Sequence, residues 1–492
     1  MAEAFVASSG REMSETIGIV GGGIAGVGAA WSLHRAGYQV ELFEKGPALG
    51  GNAKTFRWPL KDGGHAESPL LVVAWPQMYY HNYELLLKEL GVGITTLPIS
   101  YFVQTPDGHF CQDGQTAIQA RFAHEFRRWE KLVAFVAKVN GFFLPKKRHD
   151  SLYHFSYFNP LNFIPLYWLA RAFGISSDFW NTIFVPIHCA SFITTSMRGV
   201  PAVILPLLES IVPLEEPGRM GTWVGAPRQV FDRMTASFSD HVHTSHEVTS
   251  VKRREGRFVI EDKEGRSYTV DKVVFACDAA SVLRSLESPS WLQRALLGNA
   301  EYVDDVDPTF SRFVVHSDTT VLPEPHRERI LSDFNTYSEI DESGSLECTF
   351  VISAQNPSTK DEGVPMLVTF NSTKPLSEVQ KRIELPHPTH TMSFRNLIIM
   401  TMVRFLQGKG GIYYCGTFTT PEGGHDLSFM SGLVAAKAVG APYPLPRDNP
   451  HAVADFNQMQ RIMLRSGARE TIRPSISAKD APAQGATRRA GV

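Results

Sequence analysis

The stretch TIGIVGGGIAGVGAAWSLHRAGYQVELFEK, residues 16–45, admits few folds. A short β-branched run ends at Val20, glycines stand at 21, 22, 23 and 26, and helical spacing then runs to Gly37, where a helix C-terminus wants glycine. The next run, YQVELFEK, reads as a second strand. This is a β-α-β unit with Gly21, Gly23 and Gly26 in GxGxxG spacing at the strand-to-helix turn. The first glycine permits the tight bend, the second lets a pyrophosphate approach the backbone, and the third lets helix and strand pack closely. The helix N-terminus then faces the anion. Glu44, closing the second strand, is placed to accept the ribose hydroxyls of an adenosine, and an acid there disfavours a 2′-phosphate. Gly50 and Gly51 mark a second close backbone approach beyond that acid.

Composition removes other classes. With 492 residues, 43% of them hydrophobic, the chain can bury more than one core. Its 48 basic and 50 acidic residues are interspersed and leave a net charge of −2, so no global field recruits nucleic acid. Cys111, Cys189, Cys277, Cys348 and Cys415 are odd in number and form no CxxC pair, which points to a reducing compartment without disulfides or zinc. No metal is expected: His387 and His390 have i, i+3 spacing, but Pro386 and Pro388 deny a regular helix. GxSxG, HExxH and GxxxxGK[ST] are all missing, so hydrolase, zinc-protease and P-loop readings have no foothold. The first sixteen residues lack a basic segment and an apolar core, so the expected location is intracellular and cytoplasmic.

No apolar run reaches the length of roughly 18 residues that a spanning helix needs. FSYFNPLNFIPLYWLA, residues 155–170, carries no charge but is broken by Pro160 and Pro165. It reads as a buried segment of a substrate domain or as a surface that dips into a lipid interface, giving peripheral membrane contact. The aromatic residues from Tyr153 to Trp180, including Phe155, Tyr157, Phe158, Phe163, Tyr167, Trp168, Phe173 and Phe179, either line an apolar tunnel or fill that domain's core.

Three segments together resemble the FAD-dependent amine oxidase superfamily, which includes phytoene desaturases, protoporphyrinogen oxidases and polyunsaturated fatty-acid isomerases. They are the opening unit, HEVTSVKRREGRFVIEDKEGRSYTVDKVVFACDA (246–279) and GGIYYCGTFTTPEGGHDLSFMSGLVAAKAVG (410–440). VVHSDTTVLPE, LVTFNSTKP with ELPHPTH downstream, and GGHDLSFMSG are similar to a subgroup of predicted NAD/FAD-binding proteins linked to fatty-acyl modification. The sequence departs from the pattern at Asn52, where amine oxidases have arginine, and at Glu67 and Pro69, where the subgroup has Asp and Gly.

The resemblance implies an α/β fold, with a Rossmann-like FAD-binding domain of the amine-oxidase or glutathione-reductase type interleaved with an α+β substrate domain. The FAD-binding pieces would be 14–70, 218–287 and 408–445, the substrate domain 71–217 and 288–407, and the extension 446–492 a mostly mobile tail. FAD would be held by Gly21, Gly23, Ala25, Gly26, Glu44, Lys45, Gly50, Gly51, Asn52, Val248, Gly416, Ser431 and Gly432. A helix starting near Ser431 and Gly432 would direct its positive end at the flavin. His425 and Asp426, matching a His-Glu pair of the subgroup, would be the catalytic polar groups at the flavin or substrate edge. The implied function is an FAD-dependent oxidoreductase that takes a hydride from an activated C–H bond of a small-molecule or lipid substrate, an unsaturated or methylated fatty-acyl chain. The alternatives are a double-bond isomerase without net redox and a non-catalytic flavin- or lipid-binding protein.

Overall fold

The computed structural model describes residues 15–471 apart from 99, 113–115, 144–158, 193, 196, 212–218, 307–311, 356–358, 360–362, 373, 378, 385–389, 421–422 and 468. The opening unit folds as its glycines dictate. Strand β1 (Thr16–Val20) leads through the glycine turn into helix α1 (Ile24–Arg35), and β2 (Gln39–Glu44) returns beside β1. Three later strands join them: β3 (Val242–Thr244), β4 (Lys272–Phe275) and β5 (Ile412–Tyr414). All pairings are parallel and the spatial order is 3-2-1-4-5, the doubly wound arrangement that leaves a crevice at the carboxyl ends of the strands. The segment 246–279 supplies β4 and also a three-stranded antiparallel sheet. Glu255 and Gly256, both with positive φ, form its first two-residue turn, the geometry that a tight hairpin requires.

A seven-stranded sheet is built from Tyr101–Thr105, Gly108–Cys111, Arg312–His316, Thr336–Ile340, Leu346–Val351, Leu367–Phe370 and Val379–Glu384. Its pairs are antiparallel except Tyr101–Thr105 with Thr336–Ile340. Leu346–Val351 and Leu367–Phe370 are buried along their whole length, so both faces of this sheet are covered. Arg219–Trp223 pairs with Trp75–Pro76 and Ile94–Pro98 in a smaller sheet of its own.

Five further helices position the site. Helix α2 is His81–Leu90, α3 is Leu166–Ala172, α4 is Phe394–Met402, α5 is His425–Val439 and α6 is Pro450–Met463. Helix α5 is buried on nearly every side, as a helix apolar all round must be. It packs on α1, α2 and α6.

Helix α6 corrects the expectation of a mobile extension. Phe456, Met459, Ile462 and Met463 are buried in the main core and Val453 is buried as well, and spacing of three to four residues puts them on one helical face. Asn449 caps the helix by accepting from the His451 and Ala452 amides, with Pro450 at its first turn. The end of the chain, 472–492, lies outside the described residues.

The aromatic segment divides. Phe179 and Trp180 are buried in the core, where Trp180 stacks on Phe184 at 4.1 Å, whereas Phe163 and Trp168 are exposed. These residues therefore do not line a single tunnel; Tyr153, Phe155, Tyr157 and Phe158 lie outside the described residues.

The packing of α6 is open to a direct check. Phe456 is fully buried, its ring 4.6 Å from that of Tyr443. Phe456→Ala is expected to cost about 3–5 kcal/mol of stability, measured by urea unfolding; a wild-type midpoint would show that α6 is dispensable to the core.

Candidate functional site

The glycine turn and the loop after β2 meet backbone to backbone at Gly23 and Gly51, while the Leu49 and Glu44 side chains lie against Gly22. Gly21, at φ +116°, donates its N–H to the Phe43 carbonyl at 2.8 Å, and a Cβ there would lie 2.6 Å from the Ala276 carbonyl oxygen. A Cβ on Gly26 would lie 1.9 Å from the Gly21 carbonyl oxygen, so helix α1 approaches β1 as closely as glycine allows. Gly23 differs from both. A Cβ there would have only the Gly51 Cα near it, at 3.9 Å, so the space beyond Gly23 is free of protein side chains. The Gly50 amide donates to the Gly22 carbonyl at 2.9 Å and fixes the distance between the two loops. Gly23 is the N-cap of α1, supplies no side-chain acceptor, and is followed by a first turn without an acid. The first amides of the helix thus face the groove with their partial positive charge.

Glu44 holds the groove's wall. One carboxylate oxygen accepts from the Gly22 amide at 2.8 Å and the other from the Gly46 amide at 2.7 Å. Each oxygen keeps a second lone pair, which suits a vicinal pair of ribose hydroxyls. The amides of Ser245 and His246 donate to the Gly46 and Glu44 carbonyls, bringing the strand that starts at Val248 to the same end of the groove. Lys45 is exposed on the turn, and the buried Oδ1 of Asn52 has no protein partner. Lys54, which sequence reasoning passed over, has its pKa lowered by burial while the charge of Glu44 acts to raise it. Its place three residues after Gly51 supplies a cation close to where the arginine is missing.

On the far side, Gly416 at φ +102° turns the chain after β5, and its amide donates to Ser431 Oγ at 2.8 Å. Helix α5 begins at His425, not near Ser431 and Gly432 as expected. Those two residues lie inside the helix, where Gly432 is a packing glycine: a Cβ there would lie 2.1 Å from the carbonyl oxygen of Ala25. Ala25 therefore serves the helix crossing. The positive end of α5 is at Gly424 and His425.

His425 and Asp426 face different neighbours. The His425 ring meets the Tyr83 ring edge-on at 4.7 Å and lies 6.3 Å from Trp223, while its backbone amide donates to the Tyr80 hydroxyl at 3.0 Å. Burial lowers the imidazole pKa to about 3, so it is neutral, and its Nε2 has no protein partner. Trp75, Tyr80, Tyr83 and Trp223 make this aromatic enclosure, which a search for charged motifs does not find. Asp426 is fully buried and accepts from the Tyr83 amide at 2.6 Å. It caps α2, whose own N-cap, Tyr80, supplies no side-chain acceptor. The expected pairing of the two residues at one edge is thereby corrected: the carboxyl is committed to α2. Burial first, and then the charge of Asp455, hold its pKa well above the usual carboxylate range.

A second polar spot lies beside the loop after Gly416. His390, Ser393, Asn396, Leu397, Thr417 and Thr420 line a pocket in which His390 Nδ1 is 3.0 Å from Thr417 Oγ1 and the buried Nε2 has no partner. Burial lowers this imidazole's pKa to about 4. His387 is outside the described residues. His65 is exposed and Glu67 lies 3.5 Å from Arg57 in a surface ion pair.

With this geometry in hand, the chain can be set against known proteins. Residues 19–89 match the model of the NAD(P)-binding Rossmann-like domain. No curated protein sequence matches the chain. Among solved structures, a putrescine oxidase bound to putrescine superposes with a TM-score of 0.61 at 15% identity, covering 87% of this chain and 100% of its own. The cyclohexylamine oxidase of Brevibacterium oxydans IH-35A gives 0.58 at 13% identity, again over 87% of this chain and 100% of its own. A CLA-producing fatty acid isomerase from P. acnes gives 0.57 at 12% identity, covering 86% of this chain and 98% of its own. The chain shares their fold.

Buried charge at the α5 terminus is open to a test through Asp426. A carboxyl whose folded-state pKa is raised contributes stability that is complete below its unfolded value and is lost as pH rises through the folded one. Asp426→Asn cannot ionise and can still accept from the Tyr83 amide. It is expected to match the wild type near about pH 4 and to exceed it in thermal unfolding near about pH 8. A constant difference across that range would remove the buried carboxyl as the cause.

Proposed function

We propose that this chain is an FAD-dependent oxidoreductase whose bound flavin accepts a hydride from an activated C–H bond, that of an unsaturated or methylated fatty-acyl chain. The observation that carries the reading is the bare backbone surface at Gly23, where a Cβ would meet nothing nearer than the Gly51 Cα at 3.9 Å; it lies at the start of α1 and is bordered by Glu44. In this reading the first amides of α1 bind the pyrophosphate, Glu44 accepts the ribose hydroxyls, and Lys54 offsets part of the phosphate charge. The N-terminal amides of α5 stabilise negative charge at the reacting end as a fixed dipole that needs no reorganisation. The neutral His425 offers one hydrogen bond at Nε2 inside an aromatic enclosure that excludes water. His390 and its neighbouring hydroxyls give the second polar contact for a substrate head.

The likeness in fold to a fatty acid isomerase supports a second reading of the same site, a double-bond isomerase that releases no electrons. Turnover under anaerobic conditions without an added acceptor separates the two: it sustains isomerisation and stops oxidation after one cycle.

Flavin binding is testable by substitution. The purified protein is expected to carry noncovalent FAD. Gly23→Val should fold with wild-type stability yet lose the flavin, because its side chain enters the groove, whereas Gly26→Val should fail to fold for want of space against the Gly21 carbonyl. Glu44→Ala removes charge-assisted hydrogen bonds worth roughly 1.5–3 kcal/mol each, so FAD affinity should fall at least about tenfold. Folded wild-type protein that takes up no FAD on reconstitution would overturn the proposal.

A further inference from the structure

Large apolar side chains come to the surface together where the turn before α3 meets α4. Phe163 is 59% exposed and Trp168 64%, while Phe394 and Ile398 are each 40% exposed. The Phe163 ring lies edge-on against that of Phe394 at 5.2 Å, so the two segments present one surface. Both helices already bury their other faces. Helix α3 sinks Leu166, Tyr167, Leu169 and Ala170, and α4 sinks Leu397, Ile399 and Met400. The exposed aromatics are therefore surplus to the core.

Arginine is the only charged residue type within the stretches that carry them, although Glu301 is joined to α4 through its backbone bonds with Asn396. Arg171, Arg198 and Arg395 are exposed at this surface. Arg171 donates to the Ile175 carbonyl and the Arg198 guanidinium lies 4.7 Å from the Tyr167 ring centre, but none of the three has a carboxylate partner among the described residues. The stretches 160–172, 197–205 and 394–402 contain no Asp or Glu. Exposed aromatic rings rimmed by unpaired arginines match the layered chemistry of an anionic lipid surface, with rings at headgroup depth and guanidinium groups on phosphates.

We propose that this face docks on an anionic phospholipid bilayer. The attachment is interfacial, since among the described residues no helix is long and apolar enough to cross a membrane. A second copy of the chain is a poorer occupant. A two-fold interface sets the same patch against itself, which would bring arginines against arginines. The docking stands apart from the reaction proposed above and is measured without turnover.

The experiment is sedimentation of the full chain with vesicles of phosphatidylcholine alone or mixed with phosphatidylglycerol. The wild type is expected to pellet with the anionic vesicles and to be released as salt rises. Arg395→Ala should weaken binding about fivefold and the double variant Phe163→Ser/Trp168→Ser should abolish it, both with wild-type thermal unfolding because these side chains are exposed. Wild-type protein that stays in the supernatant with anionic vesicles overturns the proposal. So does equal binding by the double variant, or a concentration-dependent dimer that Phe163→Ser dissolves while no vesicle binding is seen, which would give this face to a second copy.

Discussion

The crossing of α1 and α5 governs the rest of the molecule. Gly432 lies so close to the Ala25 carbonyl that a Cβ would intrude to 2.1 Å, and a Cβ on Gly28 would lie only 2.8 Å from the Phe429 ring. Backbones this near gain dense dispersion contact along both helices. Their separation is also fixed to within a few tenths of an ångström. The glycine turn stands at the start of one helix and the 416–424 loop leads into the other, so the crossing sets how wide the intervening groove is.

Much of that was legible in the sequence because glycine at a close contact is a local requirement. Gly21 and Gly26 had to sit at their spacing for β1 and α1 to meet, and the structure gives them the tight bend and the close packing that the spacing implied, while a Cβ on Gly23 would meet only the Gly51 Cα. The same residue type misled at Gly432. There the glycine was read as the start of a helix, but it serves a helix that had begun at His425. A glycine needed by a distant partner looks the same in one dimension as a glycine needed by a turn. Asp426 was opaque for a related reason, since its partner, the Tyr83 amide, is separated from it by most of the chain. The composition of 446–492 suggested disorder because its polar end dominates the count. The spacing of Val453, Phe456, Met459 and Ile462 within it carried the opposite message.

The interface of α2, α5 and α6 holds an unusual amount of polar chemistry for a core. Asn82 donates to the Ala452 carbonyl and accepts from the Tyr443 hydroxyl, and His81 Nδ1 lies 2.8 Å from Asp455 Oδ2. Such contacts add little net stability over well-packed hydrocarbon. They do exclude other registers, because sliding α6 by one turn would take the Ala452 carbonyl away from the buried Asn82 amide and Asp455 away from His81.

The helix crossing also dictates a sequence of events during synthesis. Strand β1 and helix α1 leave the ribosome long before α5, the helix that packs most extensively on α1. The buried face of α1, with Trp31 and Leu33 among its residues, must wait for α5. Contacts of such long sequence separation form late and leave apolar surface open meanwhile. A protein interrupted before α5 would keep the local bonds of the glycine turn yet leave the helix behind it without its covering partner.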